Sequence, residues 1–170
     1  MNKLALILAG LVLTAPALAE PAPRLALGTI AELPVYERYP YDEAASPAAT
    51  GAAVSAAFDR AKKNGKLVLI DLGGNWCGDC VVLANIMLLP EMKPFMAAHY
   101  EVVSVDVGRF NKNLEIPARF GFTKRLIGVP TVLIATADGK LVNGGDVFAL
   151  ADARHLTPQA VADWLAKWTK

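Results

Sequence analysis

The chain has 170 residues, about one domain's length. Its 17 basic and 16 acidic side chains nearly balance, so nothing points to nucleic acid or an anionic surface as a partner. The 54% apolar share is inflated by alanine and by the first twenty residues.

Those first residues read as an export signal. "MNK" is a short positive start, "LALILAGLVLTAPAL" an apolar core, and "ALA" places small residues before a cleavage point after Ala19. The run is short for a bilayer span, and Pro16 disturbs a helix end, so no stable span is expected after cleavage. Cleavage at Ala19 predicts a periplasmic or otherwise exported protein. Cysteine pairs there must be kept reduced if they are to reduce others. A mature chain of this size builds an ordinary core without a disulfide staple.

Residues 20–49 are rich in Pro and Ala and predict an extended lead-in along the surface, part of it an edge strand, with a disordered tether as the alternative. The domain proper is expected over 50–170. A helix is predicted over 51–64, where Val54, Ala57, Phe58 and Ala61 recur at helical spacing before Asn64 and Gly65 stop it. "KLVLIDL" is continuously apolar, as in a strand covered on both faces. Gly73 and Gly74 turn the chain, "CVVLANIMLL" is helical, and Pro90 and Pro94 break it ahead of a second helical piece. "EVVSVDV" is the next strand, and "NKNLEIPARFGF" a short helical crossover. "VPTVLIA" and "KLVNGG" read as strands joined at Asp138 and Gly139. Thr157 and Pro158 start a closing helix with Val161, Trp164, Leu165 and Trp168 on one face. This order predicts an α/β fold with a mixed central sheet and helices on both faces.

Both cysteines lie in "GGNWCGDC", at the step from strand to helix. There the helix N-terminus favours a thiolate on Cys77, the expected nucleophile. Cys80, about one turn on, is the expected resolving thiol, and needs a base because only a thiolate reacts. Asp71 interrupts the apolar strand below the motif. Burial raises a carboxyl pKa, which suits proton transfer; a strand-end Asp capping a loop is the alternative. No cofactor is expected beyond the redox-active pair Cys77 and Cys80.

"LVLIDLGGNWCGDC", "ARFGF" and "GVPTVLI" together resemble the thioredoxin family in order and spacing, over roughly residues 51–170. The resemblance implies a thioredoxin-like fold, a cis Pro130 facing the cysteines, and Val129 offering its backbone to an extended substrate. Trp76, Gly78 and Asp79 complete the expected substrate-facing set. The chain departs from the family in several ways. Gly-Asp replaces the common Gly-Pro between the cysteines, and Val102 stands where a lysine often neighbours the buried Asp. "TKRLI" is a short insertion, and "DVFALADARH" is longer than a minimal member needs. The Asp79 charge is expected to oppose thiolate formation and make the pair a reductant unless exposure screens it.

Zinc is disfavoured because only His99 and His155 remain, far apart. Met87, Met92 and Met96 read as packing rather than a copper site, and Trp76 as a substrate platform rather than a core plug. The expected activity is thiol-disulfide exchange with partner proteins, leaning to reduction and fed by a membrane electron donor. The alternatives are a non-catalytic binding module with an inert disulfide, and an assembly factor for a cytochrome or copper protein.

Overall fold

In a computed structural model, residues 20–34 and 40–169 are described. The predicted export signal lies outside them. Helix α1 (Pro47–Asn64) begins where Ser46 caps it: the Ser46 hydroxyl accepts from the Ala49 N–H at 3.2 Å, and Pro47 needs no donor at N1. It therefore starts earlier than the apolar periodicity alone predicts. Val54, Ala57 and Ala61 are buried along one face. Gly65, at φ 75°, takes the left-handed turn that ends the helix.

Strand β1 (Leu67–Gly73) is buried from Val68 onward. It pairs in parallel with β2 (Tyr100–Asp106) and antiparallel with β3 (Thr131–Ala135), giving the order β2-β1-β3. Between β1 and β2 run α2 (Gly78–Met87) and α3 (Met92–His99), bent by 89° at the Pro90 break. After β2 come the one-turn α4 (Glu115–Ala118) and then β3, with α5 (Pro158–Ala166) closing the chain. Thr157 caps α5 by accepting from Ala160 N–H at 3.1 Å. The sheet is mixed, with helices on both faces, as the element order predicts. Val68, Ile70 and Leu72 of β1 point into the core under α1, and Leu69 into the core shared with α2, α3 and α5. Met87, Met92 and Met96 are packed in the second of these. Among the described residues no single helix is long and apolar enough to cross a membrane.

Two expectations are corrected. "KLVNGG" forms no strand; it makes a single bridge, Ala135 to Leu141. The Asn143 side chain occupies the next ladder position, accepting from Ile134 N–H and donating to the Val132 carbonyl, both at 2.8 Å. A side-chain amide thus does the work of a strand backbone. The lead-in adds no edge strand among the described residues either. Leu25, Leu27, Ile30 and Leu33 pack on the second core, and Gln159 of α5 bonds the backbone of Leu25 and Pro23. That side chain, not a ladder, meets the Leu25 N–H and the Pro23 carbonyl.

Candidate active site

β1 delivers the chain to the top of the sheet, and the turn of Gly74, Asn75 and Trp76 hands it to α2. Cys77 is the N-cap of α2: its Sγ accepts from the Cys80 N–H at 3.2 Å. The two cysteines form a disulfide with Cα atoms 5.2 Å apart. Cys77 is nearly buried and Cys80 fully so. Placed there, the Cys77 sulfur meets the free N–H groups and positive dipole end of α2, which stabilise a thiolate.

Opposite, the Val129-Pro130 peptide is cis, and the Val129 carbonyl oxygen lies 3.4 Å from the Cys77 sulfur. Val129 and Pro130 therefore stand beside Cys77, with Thr131 donating to the Gly128 carbonyl at 2.6 Å to tie the turn. Trp76 is 39% exposed at the rim rather than in the core. Its indole N–H donates to the Gly108 carbonyl at 2.8 Å, and Arg109 stacks on the ring at 4.2 Å. Phe110 meets its edge with ring centroids 6.1 Å apart. Phe110 holds φ 66°, a conformation that side chains of its size seldom adopt, so the loop after β2 carries strain where it shapes this rim.

The Asp79 expectation is overturned. Asp79 is 7% exposed and its charge is met by Arg154. Oδ1 accepts from the Arg154 backbone N–H at 2.9 Å and from Nε at 3.1 Å, and Oδ2 lies 3.1 Å from Nη2. The carboxylate in turn holds the Arg154 guanidinium above its ordinary pKa, chiefly through this hydrogen bond. The segment before α5 that looked over-long is what folds back to place Arg154 here. Gly78 is exposed, and a Cβ on it would meet the Arg154 side chain at 3.1 to 3.3 Å. The Asp79 carboxylate is thus engaged by Arg154.

Below the disulfide, Asp71 is completely buried. Its Oδ2 accepts from the Tyr41 hydroxyl at 2.8 Å, and its Oδ1 has no hydrogen-bond partner. It caps no backbone N–H and makes no ion pair among the described residues. Burial drives its pKa up to about 7, with the Tyr41 hydrogen bond opposing the rise. Tyr41 itself is buried, and burial together with Asp71 pushes its phenol well above the ordinary value. Val102, in β2, stands opposite Leu69 and takes no part. His99 pairs with Glu20 and His155 with Asp152. Among the described residues no three His, Cys, Asp or Glu side chains are grouped to hold a metal.

Sequence reasoning missed Tyr41 and Arg154. The only signals were the cluster of tyrosines in the lead-in and the extra length before α5. The Asn75 of "GGNWCGDC" also had an unseen use: its side chain accepts from Tyr41 N–H at 3.2 Å and donates to the Tyr41 carbonyl at 2.8 Å.

A disulfide at the N-terminus of a helix, with a cis proline turn against one sulfur and the Tyr41 hydroxyl, bonded to a buried carboxyl, sharing the space over Gly73 with the other, defines a dithiol–disulfide domain. A model of the thioredoxin-like family matches residues 49–137, and the chain belongs to that family. A thioredoxin of Alicyclobacillus acidocaldarius subsp. acidocaldarius is 30% identical over 86 residues, covering 51% of this chain and 73% of the relative. The solved structure of a disulphide isomerase from Xylella fastidiosa Temecula1 is 34% identical with a TM-score of 0.69. That match covers 79% of this chain and all of the isomerase chain.

Proposed function

We propose that this chain is an exported thiol-disulfide oxidoreductase that reduces disulfides in partner proteins. The observation that carries this reading is the pairing of roles at the disulfide. Cys77 caps α2 beside Val129 and Pro130, while Cys80 is fully buried and shares the space over Gly73 with the Tyr41 hydroxyl that bonds Asp71. The Cys77 thiolate attacks a partner disulfide. One partner sulfur bonds to Cys77 and the other leaves as a thiolate. Cys80 then gives up its proton toward Asp71 and attacks Cys77. The Cys77–Cys80 bond forms, the mixed disulfide breaks, and the second partner sulfur leaves and is protonated. Two electrons pass from the dithiol to the partner.

Val129 offers backbone to an extended partner segment, and Trp76 gives an apolar platform beside the attacked sulfur. Backbone pairing tolerates many partner sequences.

The reductive direction no longer rests on Asp79, whose charge is matched. It rests on Asp71. A buried carboxyl with a phenol rather than a cation beside it disfavours a second negative charge near Cys80. That raises the free energy of the thiolate forms, favours the disulfide, and makes the dithiol a reductant. In an exported protein such a pair needs a dithiol donor at the membrane to restore it.

The test is insulin reduction followed by turbidity with dithiothreitol, together with equilibration of the pair against glutathione. The expected result is acceleration that Cys77→Ala abolishes, and a reduction potential nearer thioredoxin (about −270 mV) than the strong oxidants (about −120 mV). A potential near the oxidants overturns the reductive direction. No acceleration, with an unreactive Cys77, overturns the enzyme reading in favour of a binding module. Disulfides trapped on Cys80→Ala identify the partners, and a single captured cytochrome or copper protein would narrow the role to assembly.

A further inference from the structure

We propose that Tyr41, supplied by the lead-in, is a positioning residue that carries the proton between the Cys80 sulfur and Asp71. The active site is then completed by a segment outside the strand–helix core. This inference rests on the exchange chemistry proposed above.

Three observations meet at Gly73. The Tyr41 hydroxyl donates to Asp71 at 2.8 Å and is buried with it. A Cβ built on Gly73 would fall 2.8 Å from the Cys80 sulfur and closer still to the Tyr41 oxygen. Both atoms therefore overhang the same point, and any side chain at 73 would collide with both. Gly73 is not among the glycines with positive φ. It is the room above this residue that its neighbours use, not its conformational freedom. The third observation is the clamp on Tyr41: both its backbone polar groups bond to the side chain of Asn75, inside the cysteine motif itself. The phenol is thus held in register with the turn that carries the cysteines.

A phenol suits the gap because it holds one donor and can accept at the same oxygen. When Cys80 resolves the mixed disulfide, its thiol proton passes to the Tyr41 oxygen while the Tyr41 proton passes to Asp71 Oδ2. Tyr41 ends neutral, the carboxyl is protonated, and Cys80 is free to bond Cys77. The phenol's raised pKa keeps it neutral between turnovers. The groups that bear on this titration are few. They are Tyr41, the two cysteines, and Asp106 at the end of β2, which is paired with Lys112 at 3.0 Å. The strand neighbours of Asp71, Ser104 and Val132, do not titrate in this range.

The experiment follows closure of a mixed disulfide preformed on Cys77 with thionitrobenzoate, in stopped flow from pH 5 to 9. In the native protein, closure is expected to accelerate with a midpoint near pH 7, set by Asp71. Tyr41→Phe keeps the ring and removes only the hydroxyl. It is expected to slow closure about a hundredfold at pH 7, the low end of what a positioned proton-transfer group contributes. It should also move the midpoint upward, because the carboxylate loses its one donor. Reaction of the reduced Cys77 with iodoacetamide is expected to be unchanged. In an Asp71→Asn background, adding Tyr41→Phe should change nothing further. A native rate and midpoint in Tyr41→Phe overturn the proposal, as does equal slowing of the Cys77 reaction. If Tyr41→Phe does not fold, the native protein with 13Cζ-labelled tyrosine decides. The Tyr41 resonance must follow the Asp71 midpoint and shift when the disulfide is reduced, and a resonance blind to reduction overturns it. A native protein that closes its disulfide yet fails to reduce insulin would instead count against the proposed function.

Discussion

Two carboxylates flank the disulfide, and the chain treats them in opposite ways. Asp79, at the rim, is matched by Arg154 through two guanidinium contacts and one backbone N–H. Asp71, in the floor, has a single phenol donor and no cation beside it among the described residues. The rim carboxylate lies near solvent, where its partner is half exposed and its charge costs little to keep. The floor carboxylate is sealed, so its charge is expensive and its proton is held to near neutrality. Charge of the same sign thus sits in different settings: a compensated ion that ties the segment before α5 to the first turn of α2, and a sealed carboxyl bonded to the Tyr41 phenol.

The largest effect that separates floor from rim is on stability. Folded Asp71 keeps its proton to about pH 7, whereas in the unfolded chain it loses it near 3.8. Between these values the folded state binds more protons, so its stability falls as pH rises and levels off above 7. A gap of about three units, at roughly 1.4 kcal/mol each, puts the loss on the order of 4 kcal/mol as an upper figure. Asp71→Asn removes this slope. Urea unfolding of the oxidised proteins at pH 4 and pH 8 should show the variant gaining on the native chain by most of that amount. Parallel pH dependence in the two would mean that the floor is not sealed.

The unequal legibility of the two regions follows from how each is built. β1, the glycine turn, Cys77 and Cys80 lie within one continuous stretch, where a strand-to-helix step and a helix N-terminus are local properties. Pro130 was readable through the resemblance, and the structure shows it cis, facing Cys77. Asp71 stood out because a carboxylate interrupts an apolar run. Its partner did not: Tyr41 lies 30 residues earlier in a Pro-rich stretch without periodicity, and Arg154 lies 75 residues beyond Asp79. Contacts of that kind leave no spacing in the sequence. The same holds for Asn143, whose amide replaces a strand that the hydropathy of "KLVNGG" suggested.

A smaller effect tests the rim. Arg154→Ala leaves the Asp79 charge unmatched at the N-terminus of α2, close to Cys77. A thiolate there becomes less favourable, so the Cys77 pKa rises and the pair becomes more reducing. Asp79→Ala alone leaves the cation and shifts both the other way. A threefold change in the dithiol equilibrium corresponds to about 15 mV, measurable against glutathione. The double variant is expected to return close to the native potential, because the charges cancel as a pair. Single-variant shifts of the same sign, or a double variant displaced as far as either single one, would show that the ion pair is not what holds the rim neutral.

The smallest effect distinguishes the regions by solvent. Arg154 is half exposed, so the shifts caused by unpairing the rim should shrink as salt rises from 0.05 to about 1 M, over which the screening length falls to about 3 Å. Asp71 is sealed from ions, so the pH midpoint of disulfide closure should stay in place over the same range. A floor midpoint that drifts with salt would put mobile ions, and therefore water, beside Asp71. The single hydroxyl of Tyr41 would then no longer be needed to take the proton from Cys80, since water would offer the same path.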